Sequence, residues 1–252
     1  MSNIILSERT YAQQAMENRS LGSNPVQTLM RVAKLHLADG RSKRETAGLL
    51  EDFLIACDPA TNIVRWQGVL DTVVKRAVKY PLIEVEGVGV TEKELMVIRE
   101  VGEKKRRYQR LLFAMLCLAK YGNAVNPENH NWVNRPDREL LKLSNVDVPV
   151  KRLALMLNDL WKMELIGYSR VIDNMNINVK FVDDDGEPAM LVTDFRNLGN
   201  QFMMLEGEPY MECQCCGLVI RRNSNAQKYC PECCAEVDRK RRYDAWHRVM
   251  CA

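Results

Sequence analysis

Cys213-Gln214-Cys215-Cys216-Gly217 and, after twelve further residues, Cys230-Pro231-Glu232-Cys233-Cys234 form the stretch from which the rest of the chain is read. A C-x2-C turn lets two thiolates converge on one ion, with each sulfur about 2.3 Å from the metal. Gly217, directly after the first pair, supplies the backbone freedom that such a knuckle often needs. Cys213 with Cys216 and Cys230 with Cys233 are the pairs at this spacing, so they are the expected zinc ligands, and Cys215 and Cys234 are spares. The short spacer leaves room for a β-hairpin, which predicts a treble-clef-like module or short zinc ribbon. Four cysteines leave no open coordination position, so the metal is expected to be structural. Disulfides are the competing reading. The absence of an export pattern at the N-terminus, where Ile4-Ile5-Leu6 is the only apolar run, argues against them and points to a reducing cytoplasm.

Charge collects around these cysteines. Residues 213–252 hold eight Lys and Arg against four acids, leaving +4 there and −1 over the rest of a chain whose net charge is +3. Arg221, Arg222 and Lys228 lie between the cysteine pairs. Arg239, Lys240, Arg241 and Arg242 follow the second pair on an expected helix, interleaved with Tyr243 and Trp246. Guanidinium groups that grip phosphates beside rings that stack on bases suit nucleic-acid binding, DNA or RNA. The competing reading is a solvated basic helix anchored by Trp246.

The other 212 residues are less explicit. At 46% hydrophobic and 27% charged the composition is that of a chain with one or two buried cores. Its longest apolar run, residues 111–119, is too short to span a bilayer, so no membrane partner is expected. No nucleophile elbow, phosphate-cradling glycine loop or H-E-x-x-H occurs, and His36, His130 and His247 lack partners at a diagnostic spacing. An enzyme is not expected.

Residues 1–23 read as a polar, loose segment. Asn24-Pro25 opens a helix that Asp39-Gly40 closes, and Ser42-x-x-Glu45 is a capping box for a second helix ending at Asp58-Pro59. A third spans residues 61–79, with Val64, Leu70, Val73, Val74 and Ala77 on its apolar face. Residues 24–82 are thus a helical bundle. Residues 83–87 alternate like a short strand, and Thr91-x-x-Glu94 caps a long helix reaching Tyr121, with Gly102 a possible kink. The basic run at 104–107 is expected on its solvated face, in i,i+4 pairs.

Two more helices follow, at 137–144 and 150–164, the second with Leu153, Leu157, Leu160 and Trp161 pointing inward. Strand-like residues 176–182, the turn Asp183-Asp184-Asp185-Gly186 and residues 189–195 then predict a β-hairpin. Helix, turn, helix and hairpin over residues 83–207 resemble the winged-helix pattern, the passage from Leu160 to Ser169 matching the entry into the wing. That resemblance implies that Lys151, Arg152 and Asn158 are the candidates to reach a major groove. It is equally compatible with a protein-docking scaffold.

The segments GRSKRETAGLLEDFL and WQGVLDTVVKRAVKYPL are similar to the small helical domain at the C-terminus of some phage and plasmid primases. The segments LLFAMLCLAKYGNA, NHNWVN, DNMNINVKFVDDDGEP, DFRNLGNQF and QKYCPECC together resemble a group of bacteriophage and integrative-element proteins of Gram-positive anaerobes, over residues 83–240. This resemblance implies a mobile-element setting, where small zinc-ribbon proteins bind nucleic acid as regulators or inhibit host machinery. The expectation is therefore a mainly α (α+β) chain: helical bundle, winged-helix-like centre and C-terminal zinc ribbon at 208–252. Its expected role is that of a non-enzymatic nucleic-acid-binding accessory or regulatory protein. The alternative is a protein that binds and inhibits or redirects a host complex such as a defence nuclease or polymerase.

Overall fold

The computed structural model describes residues 4–102, 105–169 and 176–250, the last three as backbone only. The chain is mainly helical, with small antiparallel sheets, and divides into two compact units, Met1–Gly87 and Val88–Ala252.

The first unit is built from α1 (Glu8–Glu17), α2 (Pro25–Ala38), α3 (Lys43–Cys57) and α4 (Ile63–Ala77). Local chemistry sets their starts. The Asn24 side chain accepts the Gln27 N–H with Pro25 in the first turn, and Ser42 and Glu45 cap each other's amides reciprocally. Leu29, Val32, Leu50, Leu54, Leu70 and Val73 close the core, each at most 2% exposed. Helix α1 replaces the loose segment expected there. Ser7 caps it, accepting the Thr10 N–H at 3.2 Å, and its buried face carries Ala12, Ala15 and the charged Glu8. Glu8 accepts from Lys34 Nζ at 2.8 Å and from the Ile83 N–H at 3.0 Å, so one carboxylate ties α1 to α2 and to the end of the unit. Val64 is 74% exposed rather than apolar-facing, because Ile63, Trp66 and Val69 are the residues that the first half of α4 packs against the core.

The second unit opens with β1 (Val88–Thr91), so the strand begins after residues 83–87. Next come α5 (Glu92–Glu100) and α6 (Arg106–Val125), where one long helix was expected. Gly102, at φ +98°, adopts a conformation closed to helical backbone and separates them. Residue 104 of the basic run lies outside the described residues. Arg106 pairs with Glu208 at 2.9 Å rather than along its own helix. Residues 111–119 of α6 are all buried, as a helix apolar on every side must be.

The order continues with β2 (Trp132–Val133), α7 (Asp137–Ser144), α8 (Val150–Lys162), β3 (Ile166–Tyr168), β4 (Ile177–Val179) and β5 (Pro188–Val192). Strands β2, β4 and β3 lie in that order in one antiparallel sheet, while β5 pairs with β1. The hairpin expected across Asp183-Asp184-Asp185-Gly186 does not form. The Asp183 N–H is taken by the buried Glu94 carboxylate and its carbonyl by Lys120, which redirects the chain toward β1. Trp161, expected inward, is 49% exposed, and α8 buries Leu153, Met156, Leu157 and Leu160 instead.

The unit ends with α9 (Leu198–Leu205), β6 (Tyr210–Glu212), β7 (Val219–Arg221) and α10 (Pro231–Met250). Helix α9 lies backbone to backbone against the end of α7. A Cβ on Gly199 would sit 1.9 Å from the Ser144 carbonyl oxygen. Gly199→Ala is therefore expected to destabilise the fold by about 3 kcal/mol, the upper part of the overpacking range, read as a lower urea midpoint at unchanged slope. A midpoint equal to that of the parent protein would show that the two helices separate freely.

Candidate metal centre and basic helix

The strand β6 runs into Cys213, and the chain returns as β7 after a knuckle that holds Cys216. The Cys213 N–H donates to the Leu218 carbonyl and the Gly217 N–H to the Cys213 carbonyl, both at 2.9 Å. Gly217 sits at φ +71° with open space where a Cβ would point, so backbone conformation rather than packing calls for glycine there. The second pair comes from the start of α10, where Pro231 needs no amide partner and the Cys234 N–H closes onto the Cys230 carbonyl at 2.8 Å.

These two local structures bring the sulfur atoms of Cys213, Cys216, Cys230 and Cys233 within 4.8 Å of one another, with Cys216 and Cys230 at 3.8 Å. Tetrahedral sulfurs about 2.3 Å from a zinc ion would lie about 3.8 Å apart, so the cluster has the dimensions of a four-thiolate metal site. Cys213, Cys230 and Cys233 are buried among Leu218, Ile220 and Tyr229, whereas Cys215 and Cys234 are exposed. Amides point at the sulfurs: the Cys230 N–H donates to Cys213 Sγ at 3.2 Å and the Cys233 N–H to Cys230 Sγ at 3.4 Å. Burial pushes the Cys213 thiol up, but the amides of Cys230, Cys216 and Cys215 outweigh it and hold the thiol at about 6. Cys213 thus favours thiolate, the form that binds metal, whereas hydrogen bonds with the neighbouring thiols push Cys233 up and Cys230 is also raised.

Sequence reasoning missed what fixes this module in the second unit. Asn200, 2% exposed on α9, donates from Nδ2 to the Val219 carbonyl at 3.1 Å. Its Oδ1 accepts from Arg110 at 2.8 Å and from Asn145 at 2.6 Å. Arg196, clamped by Asp194, donates to the Cys216 carbonyl at 2.6 Å. An Asn or Arg in an ordinary polar stretch carries no spacing signal, so nothing local distinguished these two.

The candidate phosphate ligands fall on separate elements. Arg221 ends β7 and is exposed, as is Lys228. Arg222 spends its guanidinium on the Ser224 and Asn225 carbonyls at 3.2 and 2.9 Å, holding the loop before the second pair. Arg239, Lys240, Arg241 and Arg242 are all exposed on α10. Arg241 faces Asp238 at 3.8 Å, and Arg242 Nε donates to the Asp238 carbonyl at 3.3 Å. Neither Arg239 nor Lys240 has an ion-pair partner among the described residues. Lys151 and Arg152 are exposed in the first turn of α8, and Asn158 on the same helix is half-buried.

Among the described residues, no helix is long and apolar enough to cross a membrane. No protein-family model, no curated protein and no solved structure matches the chain.

Proposed function

We propose that this protein is a non-enzymatic nucleic-acid-binding accessory or regulatory factor of a phage or mobile element, acting in the cytoplasm and held together at its C-terminal end by structural zinc. The observation that carries the reading is α10. From Cys234 to Trp246 every side chain is exposed except the half-buried Val237, and four consecutive cations lie within that span. Most helical stability in proteins comes from tertiary packing, so a helix this free of packing is best explained by a partner that completes it. Phosphate is the partner that its charge favours.

Zinc fits the donor set: four mutually close cysteines, three of them buried, with amides directed at the sulfurs and no position left for substrate. A knuckle on a hairpin followed by a helix bearing the second pair supports a treble-clef arrangement. The order α6, β2, α7, α8, β3, β4, with strand order β2-β4-β3, supports a winged-helix reading in which α8 is the presenting helix. The hairpin of that reading is β3 with β4 rather than the one expected across Asp183–Gly186, and residues 170–175 between those strands lie outside the described residues.

Replacing Arg239, Lys240, Arg241 and Arg242 together by glutamine is expected to weaken nucleic-acid binding. It should also flatten the dependence of log affinity on log salt by roughly one unit per lost contact. Unchanged affinity at about 0.1 M salt would refute the reading.

A second reading rests on α8. Leu155 and Trp161 are 54% and 49% exposed there, with Val150 and Met163 also uncovered, an apolar surface that suits a host protein better than phosphate. Co-purification of one host protein, lost in a Leu155→Asp/Trp161→Asp variant and accompanied by no retention on heparin, would establish that alternative.

A further inference from the structure

The exposed face of α10 carries more than charge. At about 100° per residue, Arg242, Trp246, Arg239, Tyr243, His247 and Lys240 follow one another around roughly 160° of the helix. Half-buried Val237 lies on the opposite side, and Asp238, Arg241 and Asp244 lie outside this arc, while an exposed acid, Glu236, falls within it a turn before Lys240. Tyr243 and Trp246 are 60% and 55% exposed. Their rings pack edge-on against His247, with centroids 4.3 and 5.1 Å from the imidazole. Three cations and three rings therefore share one surface, and two of the cations, Arg239 and Lys240, have no carboxylate partner among the described residues.

We infer that this face binds single-stranded nucleic acid, its phosphates tracking Arg239, Lys240 and Arg242 while unpaired bases stack on Tyr243 and Trp246. The inference rests on the nucleic-acid reading above and narrows it. Charge complementarity selects a polyanion, and the rings select its form. In a duplex the base faces are covered by their neighbours, and a groove-reading helix needs donors and acceptors at the base edges. Here the centre of the basic face is aromatic, which leaves two large rings uncovered against a duplex but covers them against splayed bases. A membrane-surface helix would need a continuous apolar face, and this one is interrupted by cations at every turn. Stacking and phosphate contact are both indifferent to the sugar, so DNA and RNA strands should bind alike. Three phosphate contacts on a single strand predict a salt slope of about −2.

The test is fluorescence anisotropy of the full chain, zinc-loaded, with labelled oligo(dT) and oligo(U) of about 12 nucleotides and with a duplex of the same length. Tyr243→Ala/Trp246→Ala is expected to weaken binding to both single strands at least about 30-fold, the lower end for two lost stacking contacts. Its duplex affinity should change less than about threefold. Tyr243→Phe/Trp246→Phe, which keeps both rings, should bind like the parent protein. Zinc content and circular dichroism should be unchanged in both variants, since the substituted rings are exposed. An alanine pair that binds single strands normally, or loses equally on the duplex, overturns the inference, as does a phenylalanine pair that binds no better than the alanine pair. Parent protein that binds duplex but neither single strand overturns it while leaving the broader reading intact. Parent protein that binds none of the three probes overturns both.

Discussion

Cys230→Ser is expected to give a protein without bound zinc in which the segment from Tyr210 through α10 is unfolded, while the core around α6 keeps its protection. Cys230 is 1% exposed, its sulfur lies 3.8 Å from that of Cys216, and its amide donates to Cys213 Sγ. Serine removes one of four ligands and leaves a hydroxyl facing three thiols. Beyond the hydrogen bonds from Asn200 and Arg196, the module has little else to hold it. Its apolar cluster consists of the cysteines with Leu218, Ile220 and Tyr229, too small a core to offset the entropy of ordering the segment. Metal-binding energy, about 10–16 kcal/mol for structural zinc in small domains, is then the module's folding energy. Elemental analysis should find about one zinc per chain in the parent protein and none in the variant. Amide exchange should become fast across β6, β7 and the start of α10 but remain slow in residues 111–119. Cys215→Ser and Cys234→Ser, at exposed sulfurs, should retain the metal. A Cys230→Ser protein with full zinc content would show that the ligand set lies elsewhere.

What the sequence disclosed was local. The two cysteine pairs each close within four residues, so spacing alone indicates which sulfurs converge. The capping boxes Ser42/Glu45 and Thr91/Glu94 are equally self-contained, and both form with reciprocal hydrogen bonds. The apolar run at 111–119 declares its own burial. Helix α1 escaped notice because its buried face consists of two alanines and a glutamate, which make no apolar stripe. Glu8 is buried between two cations of α2, Lys34 at 2.8 Å and Arg31 at 3.8 Å, whose positions more than twenty residues away give it no local signal. Trp161 fits the periodicity of Leu153, Leu157 and Leu160, yet it is 49% exposed beside the fully buried Leu160. Strand pairing was the least legible feature. The run at 189–195 reads as a strand but does not name its partner, and that partner, β1, lies about a hundred residues earlier.

The misread hairpin leads to the second large effect: Glu94→Ala or Lys120→Ala alone is expected to destabilise the fold by about 3–5 kcal/mol. Glu94 is fully buried, and Lys120 is 9% exposed. The carboxylate accepts from Lys120 Nζ at 2.9 and 3.1 Å, from the Thr91 N–H at 2.7 Å and from the Asp183 N–H at 2.8 Å. One residue thus completes the cap of α5, neutralises a buried ammonium on α6 and fixes the chain that leads from β4 to β5. Gly186 allows that turn to close, since a Cβ there would meet Asp183 Oδ2 at 2.7 Å and Thr91 Cγ2 at 2.8 Å. Removing Glu94 leaves the Lys120 ammonium only the more distant Asp184 carboxylate, at 3.9 Å, and leaves two amides without acceptors. Removing Lys120 strands the carboxylate. Glu94→Met/Lys120→Met, which removes both charges and keeps side-chain volume, should therefore cost less than the sum of the corresponding single methionine variants, with a coupling of at least about 1 kcal/mol in a double-mutant cycle from urea unfolding. The saving should be incomplete, because the Thr91 and Asp183 amides still lose their partner. Strictly additive methionine variants would mean that the charges do not depend on one another. The link between α5 and the β4–β5 connection would then rest on the two amide hydrogen bonds alone.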